Sequence, residues 1–333
     1  MGMLETIDNL FFNNKGILAA DESSGTIAKR FESVEIASTA ENRHDYRHLL
    51  FSTPGISPFI GGVILFDETI KSPLTIEPLR AQSIELGIKV DKGAKEYGHG
   101  TLTEGLDGLA DRLQEYKDLG ATFAKWRTVV KPQSYKSPHE WSSGNIQVNS
   151  MVMAVYAKRC HEYDIVPIVE PEVLMDGTHQ IGASYQATST ALSELFKALE
   201  SQRVDLEKII LKPNMVVTGY SSAVRASTEE VAEKTVECFK RHVPASVPAI
   251  AFLSGGQEDV DVLNTLGYIN TSFYLPWNIS FSFGRTLQRG ALHRWSEGRE
   301  DDAQKWLAQR ARECSEAAGR RKEKVSNIWD SGL

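Results

Sequence analysis

Eight short apolar runs alternate along this chain with amphipathic stretches, and nearly every run stops at charged or small polar residues. The runs cover residues 16–20, 59–66, 84–90, 121–130, 165–169, 209–211, 249–253 and 271–283. Runs this short and this apolar suit strands buried on both faces. The stretches between them read mostly as helices, which forces parallel pairing with right-handed crossovers. Eight such repeats in 333 residues predict an α/β fold: a single closed (β/α)8 TIM barrel rather than a doubly wound sheet.

The helices are expected at 3–13, from 26 onward, and at 41–51, 105–119, 144–163, 183–202, 228–242, 285–294 and 301–318, with a polar tail to residue 333. No GxGxxG follows the first run and no Walker A loop is present, so the dinucleotide and nucleotide folds lose their main signals. No Pro/Gly/Ser linker interrupts the chain, and one domain over 1–333 is expected, with the barrel at about 16–292 and the C-terminal helix and tail at about 297–333.

A formal net charge of −7 argues against a general nucleic-acid binder. Cys160, Cys238 and Cys314 show no CxxC spacing, which points to structural burial rather than a disulfide framework or a thiolate metal site. No basic-then-apolar leader and no apolar run of about 18 residues is visible, so a cytoplasmic protein away from membranes is expected. Met1-Gly2 is followed by Thr6 without a polybasic stretch, and myristoylation is discounted.

In a barrel of this type the active site lies at the C-terminal strand ends. Those ends carry Asp21, Asp67 or Glu68, Lys89 with Asp91, Lys125 with Arg127, Glu170 with Glu172, Lys212, Ser254, and Ser282 with Arg285. Strand side chains alternate, so residues two apart share a face. Each pair alone could be a rim salt bridge; three pairs at one end must neutralise one another and bind something. Lys212 follows Ile209-Ile210-Leu211 and precedes Pro213, which holds it extended over an apolar floor. A lone strand-end lysine ordinarily snorkels to solvent, but Lys125 nearby would disfavour its protonation and leave a nucleophilic amine. The cation excess suggests an anionic substrate. Ser254-Gly255-Gly256 and Gly284-Arg285 offer backbone N–H groups to phosphate, and Ser23, Ser24, Thr26, Lys89 and Arg127 could form a second anion site. With Glu170 and Glu172 to move protons and Asp21 as a base, the parts add up to imine chemistry on a phosphorylated keto-sugar.

The motifs GILAADESSGTIAKRF, GGVILFDET, GIKVDKG, FAKWR, PIVEPE, ILKPNM, FLSGGQ and FSFGR occur in order from about Gly16 to Leu292, and together the chain resembles class I fructose-1,6-bisphosphate aldolase. The resemblance implies a TIM barrel, a homotetramer and metal-independent Schiff-base catalysis without a cofactor. It implies that Lys212 forms the imine with C2, Asp21 takes the C4 hydroxyl proton, and Glu170 is the acid/base, with Glu172 positioning Lys212 and Lys125 stabilising charge. Ser254, Gly255, Gly284 and Arg285 would hold the C1 phosphate; Lys89, Arg127, Ser23 and Thr26 would hold the C6 phosphate, with Arg30 at the rim. Two departures stand out. Animal members end in a tyrosine that helps return the enamine proton, whereas the last tyrosine here is Tyr274, so Glu170 or a water is expected in that role. The region 70–82 is also shorter than the family pattern and is read as an altered surface loop.

Three rival readings compete with this one, the first a metal-dependent aldolase. His44 and His48 have helical i, i+4 ligand spacing, but no third ligand accompanies them, and a solvated helix face is the simpler reading. A transaldolase-like activity, or cleavage of sedoheptulose 1,7-bisphosphate, would also use a barrel lysine. A catalytically idle phosphosugar-binding scaffold would have no reason to keep Asp21, Lys125, Glu170, Glu172 and Lys212 together.

Overall fold

The computed structural model describes residues 2–98, 100–132 and 143–319. Eight parallel strands close into a barrel in chain order: β1 Gly16–Ala20, β2 Ile60–Leu65, β3 Glu85–Lys89, β4 Ala121–Val130, β5 Val166–Val173, β6 Ile210–Leu211, β7 Ala249–Phe252 and β8 Asn278–Phe283, which pairs back onto β1. The expected barrel is therefore present.

The barrel interior is filled, as its alternating side chains demand. Ile17, Ile64, Phe123, Val166, Ile168 and Ile210 meet inside, and Ile7, Leu10 and Phe11 of the helix Met3–Phe11 complete the same cluster. Asn9 Nδ2 donates to Glu85 Oε1 (2.9 Å), at the first residue of β3, so this helix stoppers the N-terminal end. Phe123 is admitted only because its neighbours are glycines: a Cβ at Gly87 would lie 2.1 Å from its ring. Chemistry is thereby confined to the opposite mouth. The outer strand faces and the surrounding helices form the larger cluster, which contains all three cysteines, buried and free. Among the described residues no helix is long and apolar enough to cross a membrane.

Several boundaries differ from the expectation. The helix Asp259–Ser272 is absent from the expectation, and its last two residues, Thr271 and Ser272, fall inside the run assigned to the last strand, which begins only at Asn278. Residues 73–81 form a helix, Pro73–Ala81, rather than a loop, with a proline at its start where no N–H is needed. β5 runs past the expected end at Val169 and takes Glu170-Pro171-Glu172 into the strand, because it pairs along its whole length with the still longer β4. An antiparallel hairpin, Ala94–Tyr97 with Gly100–Thr103, was not foreseen. Asn149 anchors it, accepting from Thr103 N (3.0 Å) and donating to Thr101 O (2.7 Å).

Gly61 tests the stopper. A Cβ there would fall 2.3 Å from the Leu10 carbonyl oxygen, a backbone atom that cannot rotate away. Gly61→Ala should cost about 1–3 kcal/mol of stability, as overpacking does, seen as a lower thermal midpoint. Steady-state kinetics should stay near wild type, since the strain lies at the end remote from the mouth.

Candidate active site

The strand ends surround one cavity of ≈ 1120 Å³ at the C-terminal mouth. Asp21, Lys125, Glu170, Glu172, Lys212, Ser254, Gly255, Gly284, Arg285, Lys89, Arg127, Ser23, Thr26 and Arg30 all line it.

Its floor is a chain of alternating charges. Lys125 Nζ lies 2.7 Å from Asp21 Oδ2 and 3.3 Å from Glu170 Oε2, while Lys212 Nζ lies 3.2 Å from Glu170 Oε1. Lys125 and Lys212 are each only 3% exposed, so water can contribute little to their solvation and the carboxylates must replace it. Register explains the layering: Lys89 is level with Lys125, and Arg127 with Glu170. Lys212 is held by its own N–H, which donates to Val169 O at 2.8 Å. Pro213 next to it takes no ladder bond, but its carbonyl accepts from Leu253 N (3.0 Å). Buried Asn214 then accepts from Val173 N (2.9 Å) and donates to Thr188 Oγ1 (3.2 Å), locking the end of β5 to the lysine turn. Asn214 lay inside a motif quoted for its lysine; no periodicity marks it.

Two further ion pairs line the wall. Lys89 is paired with Asp91, and Arg127 with Glu172. Glu172 was expected to position Lys212; instead its carboxylate is taken by Arg127, and the carboxylate beside Lys212 is that of Glu170. Arg30 also differs. It is paired with Glu22, and its guanidinium lies beside Gly284, where an added Cβ would sit 3.8 Å from Nη2. It therefore groups with Arg285 rather than with Lys89 and Arg127. Glu22, unremarked in the sequence, is buried and also accepts from Gln288 Nε2 (2.9 Å), which reaches Ala19 O at 2.8 Å. Ser23 Oγ and Thr26 Oγ1 lie 3.1 Å apart at the mouth. Away from the cavity, the His44 and His48 rings stack at 5.9 Å, and His44 Nδ1 lies 2.6 Å from Thr75 Oγ1. Among the described residues no third His, Cys, Asp or Glu joins them.

The electrostatics follow from these contacts. Burial works to raise Asp21, but Lys125 and then Lys212 outweigh it and hold the carboxyl at about 2. Burial likewise opposes charge on Lys125, yet Asp21 and Glu170 keep it above the ordinary lysine range. Asp21 is therefore an acceptor and Lys125 a fixed cation throughout the neutral range. Burial and the neighbouring Arg30 push the Arg285 guanidinium down. An anion between those two guanidiniums would relieve their repulsion.

Asp21 has a measurable signature. Its native value of about 2 lies below the ordinary 3.8, so the unfolded chain takes up the proton first as pH falls. The associated stabilisation, about 2 kcal/mol, is complete above pH ~4 and is lost between pH ~4 and ~2. Thermal unfolding across that window should show a shallower loss of stability in Asp21→Asn than in wild type; parallel curves would mean that Asp21 is not held down in the native state.

Comparison with known proteins agrees with this geometry. A sequence model described as fructose-bisphosphate aldolase class-I, under the heading Glycolytic, matches residues 3–328. A protein of Xanthomonas axonopodis pv. citri (strain 306), named a probable fructose-bisphosphate aldolase class 1, is 47% identical over 328 residues, covering 95% of this chain and 97% of that one. The cytosolic fructose-bisphosphate aldolase 4 of Arabidopsis thaliana is 44% identical, covering 91% of this chain and 79% of its own length. Among solved structures, the Plasmodium falciparum fructose-bisphosphate aldolase, crystallised with TRAP and a small-molecule inhibitor, superposes with a TM-score of 0.91 at 40% identity, covering 95% of this chain and 93% of that one. With the family model spanning nearly its whole length, the chain belongs to the class I fructose-bisphosphate aldolases.

Proposed function

We propose that this chain carries out the family's reaction, the reversible cleavage of fructose 1,6-bisphosphate to dihydroxyacetone phosphate and glyceraldehyde 3-phosphate, through an imine on Lys212. The observation that carries the assignment is the buried contact series Lys212–Glu170–Lys125–Asp21.

Each step needs a proton moved over a short distance, and that series supplies the path. Glu170 Oε1, 3.2 Å from Lys212 Nζ, accepts the lysine proton, and the free amine attacks C2 of the open-chain ketone. Glu170 then returns a proton to the carbinolamine hydroxyl, which leaves as water, and an iminium forms. Asp21, ionised at neutral pH, removes the proton from the C4 hydroxyl. The C3–C4 bond breaks, its electron pair passes into the iminium to give an enamine, and C4 departs as the aldehyde of glyceraldehyde 3-phosphate. Lys125 stays charged beside Asp21 and Glu170 and stabilises negative charge developing on the reacting oxygens. Protonation of the enamine at C3 is assigned to Glu170 or a water it holds. The chain's last tyrosine is Tyr274, and residues 320–333 lie outside the described residues. Hydrolysis of the imine releases dihydroxyacetone phosphate and restores Lys212.

The phosphates are assigned to the cationic flanks. Arg285, Ser254, Gly255 and Gly284 take the C1 phosphate, joined by Arg30 on the evidence of its position beside Gly284. Lys89, Arg127, Ser23 and Thr26 take the C6 phosphate. Glu172 acts through Arg127, with which it is paired. A homotetramer and a cytoplasmic location complete the reading; the tetramer rests on the resemblance alone, while the two Arabidopsis relatives at 44% and 45% identity are named cytosolic. A transaldolase-like reading is disfavoured by cationic groups on both flanks of the lysine.

Replacing Lys212 with Met removes the nucleophile at nearly constant volume. Lys212→Met should lower cleavage by at least about 10⁴-fold while calorimetry still registers bisphosphate binding; near-normal turnover would sink the imine assignment.

A further inference from the structure

The loops after β5, β6 and β7 are fastened together by a residue that the steps above do not use. Gly219 N–H donates to His179 O (2.8 Å), Tyr220 N–H to Met175 O (2.9 Å) and Ser221 N–H to Gly177 O (2.9 Å), which ties the β6 loop to the β5 loop. From that tie the Tyr220 hydroxyl crosses to the β7 loop, lying 3.1 Å from Gly255 O and 3.1 Å from Met175 Sδ. A carbonyl is a far better acceptor than a thioether, so the proton goes to Gly255. Arg225 steadies the tyrosine from behind: its Nη2 donates to Tyr220 O at 2.8 Å, and its guanidinium sits 5.9 Å from the ring centroid.

What Tyr220 grips is an unusually free peptide. Gln257 N–H donates to Ser254 O (3.0 Å), closing a turn whose two central residues, Gly255 and Gly256, have φ of +58° and +94°. The peptide between two turn glycines rotates at little steric cost. One orientation offers an N–H to the side where the other offers a carbonyl. Ser254, Gly255 and Arg285 line the cavity, Gly256 borders Arg285, and Tyr220 is not among the lining residues, so the hydroxyl holds the Gly255 carbonyl on the side away from the cavity. In a trans peptide the N–H of Gly256 is anti to that carbonyl and so turns the opposite way. Close neighbours keep both positions glycine: a Cβ on Gly255 would fall 2.4 Å from Met175 Cε, and one on Gly256 would fall 2.3 Å from Arg285 Nη1.

We infer that Tyr220 is a positioning residue that latches the Gly255–Gly256 peptide with its carbonyl turned away from the C1 phosphate, so that the loop meets the anion with N–H groups. This rests on the assignment of that loop to the C1 phosphate. Burial, with Asp176 and Glu172 nearby, pushes the Tyr220 hydroxyl up to about 12, so it remains a donor over the working range. A released peptide could rotate its carbonyl dipole toward the phosphate and repel it.

Tyr220→Phe removes the donor and keeps the ring. Titration calorimetry with dihydroxyacetone phosphate, which carries the C1 phosphate, and with glyceraldehyde 3-phosphate, which carries the C6 phosphate, separates the two ends. Wild type, Tyr220→Phe and Arg285→Ala are compared, each with its thermal midpoint. Loss of one neutral hydrogen bond predicts that Tyr220→Phe weakens dihydroxyacetone phosphate about 3- to 10-fold and leaves glyceraldehyde 3-phosphate within about twofold, with Arg285→Ala weakening the former further. If Arg285→Ala weakens dihydroxyacetone phosphate and Tyr220→Phe does not, the latch is overturned and the loop assignment stands. Equal weakening of both ligands by Tyr220→Phe also overturns it, because a general loss of structure would act at both ends. If neither variant affects dihydroxyacetone phosphate, the phosphate assignment falls first.

Discussion

Four charges under the mouth of an apolar barrel set the terms for this structure. Asp21 and Lys212, just past β1 and β6, and Lys125 and Glu170, within β4 and β5, meet over a floor of Phe123, Ile168 and Ile210. Burying any one of them alone would cost several kcal/mol. They are tolerated because they alternate in sign and touch. Such an arrangement is a poor device for stability, since apolar residues of similar size do as well or better. On the proposed mechanism, its value lies in keeping a nucleophile, an acid/base, a cation and a base within contact of one another before any substrate arrives.

Much of the surrounding fold serves to hold that contact series. The stopper helix Met3–Phe11 fills the far end, the glycines of β2 and β3 admit Phe123, and the long pairing of β4 with β5 raises Arg127 and Glu172 above Lys125 and Glu170. Asn214 joins the strand that carries the glutamates to the turn that carries the lysine. Tyr220 joins that turn to the loop assigned to phosphate. Lysine, carboxylates and the loop assigned to phosphate are thus linked by direct hydrogen bonds, which suits the proposed reaction, whose cleaved bond lies between two phosphates.

The barrel was legible because strand burial writes itself as short apolar runs and because parallel pairing needs a crossover after each. The site was legible for a related reason: an apolar strand that ends in Lys or Glu leaves few explanations. Failures occurred where sequence spacing does not encode the partner. Nothing in the spacing of Glu172 says whether it will meet Lys212 or Arg127, since both lie across a strand gap; register sets Arg127 level with Glu170, and its long side chain reaches diagonally to Glu172. Arg30 is turned by Glu22, 8 residues before it, and Glu22 is in turn held by Gln288, 266 residues further along the chain. The last strand was set too early because Phe273, Tyr274, Leu275 and Trp277, which lie between the helix Asp259–Ser272 and Asn278, extend the apolar run of the strand without belonging to it. Tyr220 carried no signal at all, because a hydroxyl that orients a distant glycine peptide looks like any loop tyrosine.

The central claim is that Lys212 bonds covalently to the substrate ketone, and borohydride trapping addresses it most directly. The full chain is incubated with dihydroxyacetone phosphate in the presence of EDTA, reduced, digested and mapped by mass spectrometry. The account predicts one reduced adduct, on the peptide that contains Lys212. An adduct on Lys125 instead, or none from protein that still cleaves fructose 1,6-bisphosphate under the same conditions, would contradict it.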